Sequence, residues 1–158
     1  MCGVWGMDKV EILTIRDNQL NALQGSRDRI SAIRTERIKQ KEACSTVVAS
    51  FNLVLQRLED EKALFIRRRD KIGGAMRTIA ETWLGHDVPE LVRKEIQEKQ
   101  EAVDILSDSI AKSESKIKQL VDARDQRQAQ LELAEESVAN AENDLKQVDI
   151  QIAAIRGF

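Results

Sequence analysis

The chain of 158 residues has no tyrosine, one proline, one histidine and two cysteines, and aromatic residues make up only 3% of it. Each shortage excludes something. Large aromatic side chains dominate wide layered cores, so their scarcity argues against one. A single proline, Pro89, leaves long stretches on either side free to remain helical. The one histidine, His86, has no cysteine or second histidine near it, so a metal site is not expected. Cys2 and Cys44 make no disulfide framework and fit a reducing compartment. Cys44 falls on an apolar seam and reads as a small buried hydrophobe before a reactive thiol. No run approaches the roughly 20 apolar residues of a membrane span, so no direct membrane insertion is expected. Residues 1–6 lack the basic region and apolar core of a secretory signal, and Met7 offers an alternative start. Residues 1–7 are expected to be disordered.

Catalytic constellations are lacking as well. Gly73-Gly74 has neither the lysine nor the hydroxyl residue of a phosphate-binding loop. No Ser/His/Asp set can be assembled, and the many carboxylates read as solvated helix faces with partners one turn away. The expectation is a non-enzyme with no catalytic residue, no metal and no cofactor. The 25 basic and 27 acidic residues are interleaved, which speaks against general nucleic-acid binding.

What is abundant is charge, at 33%, laid over an apolar repeat. In the C-terminal half, Ile96, Val103, Ile110, Ile117, Arg124, Leu131, Val138, Leu145 and Ile152 follow one another at seven-residue spacing. Lys99, Leu106, Ser113, Leu120, Arg127, Ala134, Ala141, Val148 and Ile155 follow three residues behind each. A ladder of this kind faces a partner helix and supercoils around it. The N-terminal half carries a second ladder, Leu23, Ile30, Arg37, Cys44, Phe51, Leu58, Phe65 and Ile72. Its companions are read as Ser26, Ile33, Gln40, Val47, Val54, Glu61 and Arg68, with Ile12, Leu13 and Leu20 off this register, which implies a local shift of the seam.

Gly73-Gly74, after Arg67, Arg68, Arg69 and Lys71, reads as a helix stop with cations on the negative end of the dipole. A short helical elbow follows, with Met76, Ile79, Ala80, Trp83 and Leu84 at helical spacing and Gly85 as its stop. Asp87, Pro89 and Glu90 read as the cap and first turn of the next helix. The fold expected is all-α: a long antiparallel two-helix coiled-coil hairpin with a short helical elbow, in which one helix covers 8–72, the elbow 73–88 and the second helix 89–156.

The expected facing register sets Leu58 against Leu106, Val54 against Ile110, Val47 against Ile117, Cys44 against Leu120, Ile33 against Leu131 and Ile30 against Ala134. It also sets Arg37 against Arg127 and Gln40 against Arg124, so Arg37, Gln40, Arg124 and Arg127 are expected to form one polar layer. Such a layer either specifies register or merely softens the seam. The basic run around Arg67–Arg69 reads as helix capping, with contact to phosphate or acidic protein as the alternative. Trp83 either packs on Ile72, Ile79 and Val92 or serves as a partner anchor.

Two long helices of near-equal length joined by the stretch Thr78-Ile79-Ala80-Glu81-Thr82-Trp83-Leu84-Gly85-His86-Asp87-Val88-Pro89-Glu90-Leu91 resemble the type III secretion stalk proteins. These are the YscO/SctO-like proteins of injectisomes and the flagellar FliJ-like proteins. The resemblance covers most of the chain, in architecture more than in motif. It implies a cytoplasmic, non-enzymatic central stalk or coupling rod, monomeric and peripheral to an inner-membrane secretion apparatus. The implied partners are a hexameric secretion ATPase, met by residues 8–30 and 135–156, an export-gate membrane protein met by the elbow, and secretion chaperones. Candidate partner contacts are Phe65, Met76, Ile79, Trp83 and Leu84. The competing reading is a structural or assembly coiled coil that homo-oligomerises.

Overall fold

A computed structural model describes residues 8–157. They form two long helices, α1 (Lys9–Thr82) and α2 (Glu90–Arg156), which pack against each other, and no strand is present among the described residues. The expectation of a disordered segment at residues 1–7 lies outside the described residues. α1 is capped by Asp8, whose Oδ1 accepts the Glu11 backbone N–H at 2.8 Å.

The first helix does not stop at residue 72. It passes through Gly73-Gly74 and ends at Thr82, one turn short of the reversal. A Cβ added at either glycine would meet nothing within 4 Å, and neither glycine has a positive φ. Two glycines inside a helix cost about 1 kcal/mol each relative to alanine, which twenty turns of continuous hydrogen bonding and packing absorb. The reversal is made instead by Gly85, at φ 78°. His86 N–H donates to Trp83 O at 3.0 Å and Leu84 N–H to Glu81 O at 3.3 Å. α2 begins at Glu90, and the Pro89 carbonyl accepts from both Val92 and Arg93. Pro89, rather than Asp87, thus opens the helix.

The described chain divides into two compact units. Unit 1 comprises Met1–Thr46 and Gln128–Phe158, and unit 2 comprises Val47–Arg127. In unit 1 hydrogen bonds and ion pairs cross between the helices. Arg16 Nη2 donates to Arg156 O at 3.3 Å and Arg37 Nη1 to Ser137 O at 2.9 Å. Arg27 Nε meets Asp149 Oδ1 at 2.7 Å and Arg34 Nη2 meets Glu142 Oε1 at 3.0 Å. In unit 2, Lys62 Nζ meets Glu114 Oε1 at 3.5 Å.

These pairs correct the expected register. Setting Ile33 against Leu131 would bring Arg34 beside Gln130, but Arg34 reaches Glu142. Setting Leu58 against Leu106 would bring Lys62 beside Ala102, but Lys62 reaches Glu114. The displacement is about three helical turns. Its cause is the longer first helix: with α1 continuing to Thr82, the chain reverses near His86, and every facing pair moves along α2.

Burial shows which rows face inward. On α2 the expected ladder holds: Ile110, Leu131, Val138 and Ile152 are buried, as are the companions Ser113 and Ala141. Arg127 alone among those companions is exposed. On α1 the ladder from Leu23 to Ile72 is half-buried throughout, but its companions lie four residues behind it rather than three. Val48 and Leu55 are buried, and Arg34, Lys41, Lys62, Arg69, Met76 and Trp83 are half-buried. Ile33, Gln40, Val47, Val54, Glu61 and Arg68 point outward. Leu20 belongs to this corrected row, so no local shift of the seam is needed near the N-terminus.

Candidate functional surfaces

Two surfaces at opposite sequence extremes of the helices offer apolar groups to a partner, one in each unit. In unit 2 the candidate contacts divide. Phe65, Ile79 and Trp83 are half-buried, as is Met76, all at inward-facing positions of α1. Leu84 stands apart at 81% exposure on the turn, matched by Leu91 at 81% on the first turn of α2. Trp83 is held by its backbone, donating to Ile79 O at 3.2 Å and accepting from His86. Its indole therefore starts from an inward row, where packing is its first role, and the exposed leucines are the groups free to meet another molecule.

In unit 1 the first turns of α1 present Val10, Ile12, Leu13 and Ile15, all exposed. Ile12, Leu13, Ile15, Arg16, Gln19 and Ile155 line a groove of about 350 Å³. A second groove of about 500 Å³ is lined by Gln19, Ala22, Leu23, Gln151, Ala154 and Ile155. Both are open depressions between side chains of the two helices, with polar groups confined to Arg16, Gln19 and Gln151. They can bind apolar side chains of a partner, but they bring together no acid, base and nucleophile. The sequence made Ile12 and Leu13 seam residues displaced from register. Leu13 lies seven residues before Leu20 on the corrected row and Ile12 on the outward row of Ile33, yet both are exposed.

Below this end lie the cross-helix ion pairs. The Asp149 carboxylate, through its hydrogen bond first and its charge second, raises the Arg27 guanidinium further above its ordinary value. Both members are half open to water, so their attraction is screened.

Of the four residues expected to make one polar layer, Arg37 and Arg124 take separate partners. Arg37 donates to Ser137 O, at a position about ten residues, or roughly 15 Å along α2, beyond Arg127. Arg124 turns to its neighbour Asp125, at 3.2 Å. Gln40 and Arg127 are exposed. The shift of register accounts for this. A layer defined by matching polar breaks exists only in the register that matches them.

Among the described residues, no group of three His, Cys, Asp or Glu is placed to hold a metal ion. No described helix is long and apolar enough to cross a membrane. Cys44 is half-buried and unpaired with another cysteine.

Fold and surfaces together define a class: an all-α chain of two long, mutually packed helices whose exposed apolar groups suit contact with other macromolecules. Comparisons with protein-family models, curated proteins and solved structures find no match.

Proposed function

We propose that the chain is a non-enzymatic coupling stalk of a type III protein-export apparatus, built as an antiparallel coiled-coil hairpin. The observation that carries the reading is the pairing of two long helices whose cross-bonds run in opposite sequence directions, from Arg16 with Arg156 to Arg37 with Ser137. Heptad rows on both helices support the coiled-coil part of it. On this reading the exposed Val10, Ile12, Leu13 and Ile15 meet the hexameric secretion ATPase. The turn, with Leu84 and Leu91 exposed and Phe65, Met76, Ile79 and Trp83 behind them, meets the export gate at the inner membrane. Secretion chaperones are further partners, and the chain works from the cytoplasmic side.

The test is a binding assay of the purified full chain against a secretion ATPase and against the cytoplasmic domain of an export gate. Ile12→Asp with Ile15→Asp should abolish ATPase binding and spare gate binding, and Leu84→Asp should do the reverse. Binding to neither protein rejects the reading.

A second reading, a scaffold that homo-oligomerises, is favoured by the apolar side chains Leu53, Ile105 and Leu133 on outward positions. Light scattering separates the two. A monomer mass at all concentrations supports the stalk, and a concentration-dependent dimer supports the scaffold.

A further inference from the structure

The basic run of α1 has lost its simplest explanation. Arg67, Arg68 and Lys71 would serve as dipole-compensating caps if the helix ended at Gly73-Gly74. The helix continues to Thr82, and its last turn has no basic residue. The cations therefore sit within the helix, where no free carbonyls need them.

They are also unanswered by the other described residues. Arg67, Arg68, Lys71 and Arg77 have no side-chain hydrogen bond or ion pair, whereas Arg69 meets Asp70 at 3.5 Å. Several carboxylates of unit 2 are engaged otherwise: Asp60 with Gln56, Asp104 with Gln100, Asp108 with Lys112 and Glu114 with Lys62. Between positions 64 and 77 of α1, Asp70 is the only acidic residue.

The cations share a face with apolar groups. Leu53, Asp60, Leu64, Arg67, Lys71 and Gly74 follow a spacing of three, four or seven residues, which is one side of a helix, turned away from the inward rows, and its one carboxylate, Asp60, accepts from Gln56. Leu53 is 63% exposed and Leu64 39%. Gly74 is half-buried, and a Cβ added there would meet nothing within 4 Å. A glycine costly to a helix, with nothing in its own chain filling the gap, allows another backbone to approach closely.

From this juxtaposition we propose that the outward face of α1 from Leu53 to Arg77 docks an acidic amphipathic helix of a partner protein. Its leucine-like anchors lie along Leu53 and Leu64, its carboxylates meet Arg67 and Lys71, and its backbone passes closest at Gly74. Charge complementarity selects the partner. Two leucines make too narrow a strip to hold a helix in a lipid interface. Their presence amid the cations distinguishes the face from a phosphate-tracking one, which needs no apolar anchors. The proposal stands apart from the export reading, because it assigns a surface that neither the ATPase nor the gate occupies there.

The experiment uses the full chain and three labelled probes: a helical peptide with one leucine face flanked by glutamates, vesicles of phosphatidylcholine with phosphatidylserine, and duplex DNA. The peptide should bind, and Arg67→Glu with Lys71→Glu should weaken it by about ten-fold or more, with helicity by circular dichroism unchanged. A peptide with lysines in place of the glutamates should bind that variant and not the native chain. Gly74→Phe, whose Cβ would meet nothing within 4 Å, should also weaken binding of the acidic peptide by several-fold. The proposal is overturned by no peptide binding, by binding indifferent to charge reversal, or by binding to vesicles or DNA in preference to the peptide. Failure of this assay leaves the ATPase and gate assays untouched, so the two readings fail separately.

Discussion

The two units join the same pair of helices by different means. Among the described residues of unit 1, the buried hydrophobic side chains all come from α2: Leu131, Val138, Ala141 and Ile152. α1 answers with half-buried groups, several of them long cations, and with Arg27, Arg34 and Arg37 reaching over to Asp149, Glu142 and the Ser137 carbonyl. In unit 2 both helices contribute buried residues, Val48 and Leu55 from α1 and Ile110 and Ser113 from α2, and the recorded ion pair across is Lys62 with Glu114. The difference is one of side-chain reach. Small residues such as Ala141 leave room beside the α2 seam that an arginine stem fills, with its charged head at the rim. Where α1 supplies valine or leucine, the seam closes without such help.

The sharpest way to break this comparison is to truncate a buried residue. Leu55→Ala should destabilise the chain by about 2–3 kcal/mol, read as a lower urea midpoint at unchanged slope. Ile30→Ala, at a half-buried position of unit 1, should cost distinctly less. Equal losses would show that the two units are packed alike. Next in size is the glycine pair. Gly73→Ala with Gly74→Ala should stabilise by about 1–2 kcal/mol, because both sit in a continuous helix with space for a methyl group. Destabilisation would mean that the helix breaks there after all, and would restore the earlier, shorter first arm.

How far the sequence foretold this structure differs between the helices for one physical reason. On α2 the apolar rows are nearly pure, so period and face coincide, and Ile110, Val138 and Ile152 are buried where the ladder placed them. On α1 adjacent apolar pairs, Val47 with Val48 and Val54 with Leu55, leave two faces open. Apolarity alone favoured the row with Ile33, Val47 and Val54. The helix chose the row with Arg34, Lys41, Lys62 and Arg69, because cation stems pack and Ile33 stays exposed. The Gly73-Gly74 stop failed for a related reason: glycine enriches helix ends, but φ settles the matter, and the positive φ is at Gly85. Of the candidate contacts, Leu84 emerged exposed as a partner contact needs, while Trp83 lies on an inward row. The exposure of the apolar start of α1 was not legible in spacing, because Leu13 continues the row of Leu20 and still lies open.

The smallest expected effect concerns the ion pairs, and it tests whether unit 1 depends on them at all. Arg34 and Glu142 are 39% and 52% exposed at their side chains. A pair so open to water should contribute about 0.2–1 kcal/mol in a double-mutant cycle of Arg34→Ala and Glu142→Ala, and less at high salt. The arginine stem also covers apolar surface, and that part does not depend on the carboxylate. Arg34→Ala should therefore cost more than Glu142→Ala, and the excess should persist in salt. Arg34→Met separates the two contributions: it keeps a long stem and drops the charge. If Met recovers the excess, unit 1 is held by stems packed over the α2 seam and the carboxylates chiefly fix register. If Met behaves like alanine, the charge pairs themselves hold the unit, and the contrast with unit 2 is electrostatic rather than a matter of packing.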